Sequence, residues 1–197
     1  MKTIAPLRGR ARVLAWIVLG LALTALVLTV ASAFAGRNKP HTAAEFGVSD
    51  PVSRCDGDGD GVEDHADLVA GAEKYLSENG PDAAADGERL LVSAFGQAGY
   101  DLPALITADA DAAPEAYDGV SAGLPALRVW LTRNAAALPV ETYTPGDWGA
   151  GDLAFFDGKA AVCAYERGAS GIPLLICADG SRLCAASVIV TDHFRFN

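Results

Sequence analysis

The most chemically distinctive stretch is residues 55–68, CDGDGDGVEDHADL, which holds six acidic side chains and three glycines. Counted from Asp56, carboxylates fall at positions one, three, five, nine and twelve, and position six is a glycine. This is the spacing of a calcium loop, in which glycine permits a sharp turn and carboxylates offer oxygen to a hard cation. The predicted ligands are Asp56, Asp58, Asp60, the backbone carbonyl of Val62, Asp64 and Asp67.

Oxygen ligands without His or Cys favour calcium over zinc or copper. Only one such loop is present, so we expect a structural calcium ion rather than a paired sensor. An alternative stays open at this point. The same residues suit an acidic turn that caps the following helix, with Asp64 as the N-cap.

The chain after this loop carries helix patterns first and strand patterns afterwards. Apolar spacing predicts a helix in HADLVAGAEKYLSENGP that stops at Gly80-Pro81, a second in ERLLVSAFGQAG, a third around Pro103 to Asp109 and a fourth in LPALRVWLTRNAAA. Short apolar runs then predict strands in GDLAFFD, AAVCAYE, PLLICAD and SVIVTDHFRF. The predicted fold class is α+β, with helices packed on a mostly antiparallel sheet.

The N-terminal segment has no charged residue from Val13 to Gly36, which is long enough to span a bilayer as a helix. Arginines just before it predict a cytoplasmic N-terminus and an exported remainder. Residues 1–36 are either a signal anchor, giving a single-pass cell-membrane protein, or a signal peptide cleaved after Ala35, giving a secreted one. Residues 37–54 are predicted to be a tether, and residues 55–197 the exported domain.

Charge restricts the partners of that domain. After His41 the chain has 9 basic and 25 acidic residues, a formal charge of −16. Such a domain repels nucleic acid and anionic lipid and attracts cations. We therefore expect no nucleic-acid partner, and contact with the membrane only through the N-terminal helix.

Four cysteines, Cys55, Cys163, Cys177 and Cys184, are disulfide candidates, because an exported compartment is oxidising. If AAVCAYE and PLLICAD form a hairpin around Gly168 to Gly171, Cys163 lies opposite Cys177 and leaves Cys55 with Cys184. Pairing of Cys177 with Cys184 is the alternative. The sequence leaves the connectivity open.

Six stretches together, in order and at compatible spacing, resemble the bacterial domain-of-unknown-function family 1287 (DUF1287) over about Cys55 to Asn197. They are DGDGDGVEDHADLVAGAEKYL, VSAFGQAGYDLPALITADADAAPEAY, LRVWLTRNAAAL, WGAGDLAFF, RGASGIPLLIC and TDHFRFN. That family is similar to the papain-like superfamily of cell-wall cysteine peptidases and amidases of the NlpC type. The resemblance implies a papain-like fold, with a Cys at a helix start and a His at the opening of a strand.

Papain-like chemistry needs a thiolate at a helix N-terminus, a His to take its proton and a polar group to orient that His. The resemblance places these three roles at Gly87, Lys159 and Ala178, none of which suits its role. It also indicates that scaffold positions are kept, namely Asp152, His193 and Arg195. This pattern predicts a pseudoenzyme with no catalytic residues.

Cys163 and His193 are not expected to form a replacement dyad, because both lie on predicted strands away from a helix N-terminus. We expect His193 to contact a backbone carbonyl and Arg195 to pair with an acid. The expected function is binding of a cell-envelope polymer, a peptide or a partner protein. Two alternatives remain: an active cell-wall hydrolase or amidase with a rearranged site, and a calcium-dependent interaction module.

Overall fold

The structure is a computed structural model that describes Trp16 and residues 40–50, 55–141 and 144–196. The chain divides into two compact units, Met1–Lys39 and Pro40–Asn197. Among the described residues no helix is long and apolar enough to cross a membrane. The predicted span, residues 13–36, lies outside the described residues except for Trp16, so the signal anchor and the signal peptide both stay predictions.

Four helices are present in the second unit: α1 (Asp64–Asn79), α2 (Glu88–Gln97), α3 (Leu102–Ala112) and α4 (Leu124–Asn134). All four predicted helices are confirmed. Helix α1 ends where Gly80 takes a φ of +73° and Pro81 follows, since neither residue continues a helix. Helix α3 begins after Asp101, whose side chain accepts a hydrogen bond from the backbone N–H of Ala104 at 3.1 Å.

Six strands form one antiparallel sheet in the order β1-β6-β2-β3-β4-β5. They are β1 (Ala136–Ala137), β2 (Leu153–Phe156), β3 (Lys159–Arg167), β4 (Pro173–Cys177), β5 (Arg182–Cys184) and β6 (Val190–Arg195). The helices pack on this sheet, so the α+β fold class is confirmed. The sequence patterns did not predict the short strands β1 and β5.

Both faces of the central strands are buried, which explains why their sequences are nearly continuous apolar runs. Successive side chains alternate between the faces. Leu153, Phe155 and Val162 face the helices. On the opposite face a second apolar cluster forms around Trp148, with Phe156 and Cys163 among its members.

Residues 40–50 correct the predicted tether over residues 37–54. They belong to the compact unit, form a 3-10 helix at Ala43–Phe46, and pair with β3 through backbone hydrogen bonds between His41 and Arg167 of 2.9 and 2.8 Å. The Arg167 side chain is fully buried, and its Nη2 lies 2.5 Å from Oδ1 of Asp50. A buried guanidinium needs a carboxylate partner, so this pairing holds a segment whose composition resembles a linker.

Candidate functional site

A groove of about 710 Å³ lies between α4, the residues just before α2 and the strands β2, β3 and β6. This volume is within the usual range of small-ligand sites, roughly 300–1,000 Å³. Its lining combines an apolar floor with charged and hydroxyl groups. The lining residues are Asp86, Gly119, Val120, Ser121, Leu124, Pro125, Arg128, Val129, Thr132, Phe155, Phe156, Gly158, Lys159, Thr191 and Asp192.

Of the three positions that the resemblance assigns to catalysis, Lys159 lines this groove and Gly87 follows the lining residue Asp86. Gly87 precedes the first residue of α2, Lys159 opens β3, and Ala178 follows β4. The backbone N–H of Ala160 donates to the carbonyl of Asp86 at 2.7 Å, which fixes the start of α2 against β3. The structure therefore brings together residues that are 74 positions apart in the sequence.

Gly87 has no room for a side chain. Its φ is +97°, a backbone conformation that side-chain-bearing residues rarely adopt. A Cβ atom there would lie 2.1 Å from the carbonyl oxygen of Ala160 and 2.9 Å from its carbonyl carbon. A cysteine at this position would require α2 and β3 to move apart.

Lys159 is held in an ion pair. Its Nζ lies 3.1 Å from Oδ2 of Asp179. Hydrogen bonds from the hydroxyl and the backbone N–H of Ser181, together with Lys159, lower the pKa of Asp179 to about 2. A carboxylate with this many donors is a fixed negative charge, so Lys159 contributes a paired cation to the groove edge.

A second ion pair lies across the groove, where an Arg128 guanidinium nitrogen is 2.7 Å from Oδ2 of Asp192. Val120, Pro125 and Val129 provide apolar surface in the same groove. Of the described residues that line the groove, none is a Cys or a His. The groove therefore offers apolar contact, hydroxyl groups and charges of both signs.

Asp152 and His193 are buried and form a cluster with the half-buried Arg195 outside the groove. Asp152 lies 3.0 Å from Nε2 of His193 and accepts two hydrogen bonds of 2.7 Å from Arg195. Nδ1 of His193 is 3.3 Å from the backbone carbonyl of Pro139, and the ring stacks on Trp148. The expectations that His193 contacts a backbone carbonyl and Arg195 pairs with an acid are confirmed.

Cys163 is fully buried, and burial, followed by the charge of Asp152, raises the pKa of its thiol well above the ordinary value. The predicted hairpin of β3 and β4 is confirmed, but the expected register is wrong: Cys163 lies opposite Leu175, and Cys177 lies opposite Ala161. Diagonal neighbours across an antiparallel pair are about 7–8 Å apart. That separation exceeds the usual Cα distance of a disulfide, about 4.4–6.8 Å, and so disfavours the pair.

The other cysteines lie in two places. Cys184 is on β5, with its sulfur 3.5 Å from the hydroxyl of Ser170. Cys55 precedes the acidic loop, and its carbonyl accepts the backbone N–H of Asp64 at 3.0 Å. Disulfides at these positions stay predictions.

The acidic loop brings three of its predicted ligands together at the surface. Asp56, Asp58 and Asp60 are exposed, and one carboxylate oxygen of each lies within 4.8 Å of the others. Gly59 and Gly61 take φ values of +74° and +91°, which turn the chain tightly around these oxygens. Asp56 accepts backbone hydrogen bonds of 2.7–3.1 Å from positions 59, 60 and 61.

Asp64 and Asp67 have different surroundings from the exposed acids. Asp64 is fully buried, and its two oxygens accept hydrogen bonds from the backbone N–H of Gly57 at 2.8 Å and the hydroxyl of Tyr100 at 2.7 Å. The alternative in which Asp64 is the N-cap of α1 is wrong, because the N-cap residue is Glu63. Asp67 is 5% exposed and accepts no hydrogen bond from the described residues.

No protein-family model, curated protein or solved structure matches the chain. The residues that the sequence patterns missed are the charged groove residues Arg128 and Asp192. A partial signal exists for Asp192, which interrupts an apolar strand. Arg128 lies on the polar side of an amphipathic helix, where a charged residue is ordinary.

Proposed function

We propose that the domain is a papain-like pseudoenzyme that binds a cell-envelope ligand in the groove beside the N-terminus of α2. The domain is exported and anchored by the N-terminal segment. The observation that carries this proposal is the lack of space for a side chain at Gly87, beside a groove of about 710 Å³. A site that has closed where the nucleophile belongs, yet keeps a ligand-sized groove, suits binding without hydrolysis.

The other two positions support the loss of catalysis. Lys159 is engaged by Asp179 at 3.1 Å, and Ala178 has no polar side chain to orient a base. Cys163 lies buried on the opposite face of the sheet from the helices, so it does not replace the missing nucleophile. A raised thiol pKa reduces the fraction of reactive thiolate.

The groove chemistry favours a peptide borne by a cell-wall polymer. Arg128 can meet a carboxylate, whereas Asp86 and Asp192 can meet ammonium groups. Val120, Pro125 and Val129 can contact the aliphatic parts of the same peptide. Short wall peptides carry charges of both signs on a compact chain, which matches this arrangement.

The test uses the full-length protein in detergent and soluble muropeptides released from purified peptidoglycan. Calorimetry measures binding, and mass spectrometry of the same mixture detects cleavage. Val129→Trp fills the groove and should weaken binding at least tenfold, whereas Ala108→Trp, on an exposed position of α3, should leave it unchanged. Arg128→Ala should weaken binding, and Arg89→Ala, an exposed arginine outside the groove, should not.

Two results would overturn the proposal. Cleavage of the muropeptides by the unmodified chain would refute the loss of catalysis. Binding that persists in Val129→Trp, or an absence of binding to any wall fragment, would refute the groove as the ligand site.

Reconstruction of the missing groups provides a separate check. The double change Gly87→Cys and Lys159→His should produce no hydrolysis, because the new Cβ would meet the carbonyl of Ala160. Hydrolysis by this variant would mean that α2 and β3 separate readily. The unmodified chain would then lack only the two reactive side chains, and the backbone would not block the site.

A further inference from the structure

The buried ring of His193 has a contact at each nitrogen that only a hydrogen-bond donor can satisfy. Its Nδ1 is 3.3 Å from the backbone carbonyl of Pro139, and its Nε2 is 3.0 Å from Oδ2 of Asp152. A backbone carbonyl can only accept a hydrogen bond, and so can an ionised carboxylate. A neutral imidazole has one N–H and therefore satisfies only one of these two partners.

Asp152 is held as a carboxylate by its other contacts. It accepts a hydrogen bond from the backbone N–H of Gly149 at 2.7 Å, and Arg195 donates to both of its oxygens at 2.7 Å. Three N–H donors directed at one carboxyl group favour its ionised form. Because Oδ2, the oxygen that faces His193, accepts two of these hydrogen bonds, Nε2 of His193 is the donor in their contact.

We infer that His193 carries a proton on both ring nitrogens in the folded domain, so that its charge holds the edge strand β1 in place through Pro139. The doubly protonated ring donates to both partners, which a neutral ring cannot do. Trp148 supports this charge, because its indole ring stacks on His193 with centroids 3.7 Å apart and an interplanar angle of 11°. The face of an indole attracts a cation.

Carboxylates balance the two neighbouring cations of this cluster. Asp152 contacts both His193 and Arg195. The carboxylate of Asp147, from the 3-10 helix Pro145–Asp147, is a second negative charge that acts on Arg195. Two positive and two negative groups therefore lie together, and buried charges are tolerated when they have such partners.

The remaining elements near the ring bring charges that are already paired, or none at all. From β3, the buried Cys163 is uncharged, because burial raises the pKa of its thiol well above the ordinary value. Arg167, at the end of β3, donates to the carbonyl of Trp148 and is paired with Asp50. Strand β2 and residues 136–140 contain no charged side chain. Carboxylates and guanidinium groups keep their charge near neutral pH, so among these described residues only His193 can change the charge of the cluster there.

The segment that His193 holds is at the edge of the sheet. Strand β1 has two residues, Ala136 and Ala137, and its neighbour is β6. Just after β1, the backbone N–H of Leu138 donates to the carbonyl of His193 at 2.8 Å. Loss of the Nδ1 proton would leave a lone pair facing the carbonyl oxygen of Pro139, and this contact would change from attractive to repulsive. A rise in pH should therefore loosen β1 from the sheet edge.

The test of the protonation state leaves the cluster itself unchanged, and it is independent of the groove and its ligand. The chain has three histidines, so the double variant His41→Gln, His65→Gln has His193 alone. The two replaced side chains are partly exposed, at 26% and 15%, so we expect the fold to be kept. Nitrogen-15 NMR of this full-length chain in detergent, labelled at histidine, shows which ring nitrogens carry a proton. At about pH 7, where an unpaired histidine is mostly neutral, both nitrogens of His193 should be protonated.

The unmodified chain gives a second version of this test. There the His193 ring is recognised by its cross-peaks to the indole of Trp148, on which it stacks. The protonation state should be the same as in the double variant.

Amide hydrogen exchange shows whether the charge holds β1. As the pH is raised until Nδ1 loses its proton, the protection of the Leu138 amide, corrected for intrinsic exchange, should fall roughly tenfold or more, as expected for the loss of one hydrogen bond to a charged group. The amide of Ala160 is the control. It donates to the carbonyl of Asp86 at 2.7 Å, far from this cluster in the sheet order, and should keep its protection.

Two results would overturn the inference. The first is a His193 ring with one unprotonated nitrogen at about pH 7, which would mean that one of its two contacts lacks a donor. The second is protection of Leu138 that stays constant while Nδ1 loses its proton, which would show that the charge of the ring does not hold β1.

Discussion

The close approach of α2 to β3 makes Gly87→Ala a direct test of how the candidate site is built. A single methyl group at this position would lie 2.1 Å from the carbonyl oxygen of Ala160, a distance that Cβ atoms essentially never show. The obstacle is backbone, so a rotamer change cannot relieve it. The start of α2 must shift away from β3.

The expected cost has two parts. A residue with a Cβ held at positive φ costs about 1–3 kcal/mol. The shift also breaks the 2.7 Å hydrogen bond between the N–H of Ala160 and the carbonyl of Asp86. Because Ala160 is buried, leaving its N–H unsatisfied costs about 1–3 kcal/mol more. We expect a total loss of roughly 2–6 kcal/mol, a large part of the stability of an ordinary domain.

Urea unfolding of the full-length chain, followed by tryptophan fluorescence, measures this loss. With an m-value of about 2 kcal/mol/M, the midpoint should fall by roughly 1–3 M. Gly96→Ala is the matched control: it lies in the same helix, it is exposed, and no atom is within 4 Å of its added Cβ. That variant should gain about 0.5–1 kcal/mol. A loss of less than about 1 kcal/mol in Gly87→Ala would refute the reasoning.

Three further results are expected from urea unfolding. Asp152→Asn should cost roughly 3–5 kcal/mol because it leaves His193 and a guanidinium without their buried carboxylate; a loss under 1 kcal/mol would contradict this. Asp179, whose pKa is lowered to about 2, should contribute about 1–2 kcal/mol to the free energy of unfolding above about pH 4, and this contribution should disappear as the pH falls toward 2. Asp179→Asn should remove this pH dependence of stability. An unchanged pH dependence in that variant would exclude Asp179 as its cause. Arg167→Met should release Asp50, so that a protease other than trypsin cleaves the chain within residues 40–50 during limited proteolysis. Continued protection of residues 40–50 would show that other contacts hold this segment.

The helices and the long strands were predictable because their signals are local. Leu68 and Ala72 repeat at helical spacing, and Gly80 with Pro81 ends the pattern where α1 ends. Strand β5 is a three-residue segment, too short for any periodic pattern to identify. Its existence depends on β4 being beside it, which is information that the local sequence does not contain.

The candidate site was predictable only where residues near in sequence determine it. The acidic spacing identified the cluster of Asp56, Asp58 and Asp60, whereas the role of Asp64 depends on Tyr100, which lies 36 residues away. Likewise Arg167 shows no sequence signal for its contact with Asp50, 117 residues earlier. A charged residue at the end of a strand is normally exposed, so only the folded arrangement reveals that it is buried.

The geometry at Gly87 also bears on the proposed absence of catalysis. A nucleophile at a helix start and a base on the adjoining strand need a gap between the two elements, into which their side chains project. Here the contact between Asp86 and Ala160 closes that gap, and the glycine is what permits it. With the gap closed, a buried hydrogen bond lies where an open catalytic site would have exposed polar groups. Proteins without such a site are commonly more stable. Under the proposal, hydrolysis would therefore require α2 to be repositioned on the sheet, in addition to reactive side chains at the two positions.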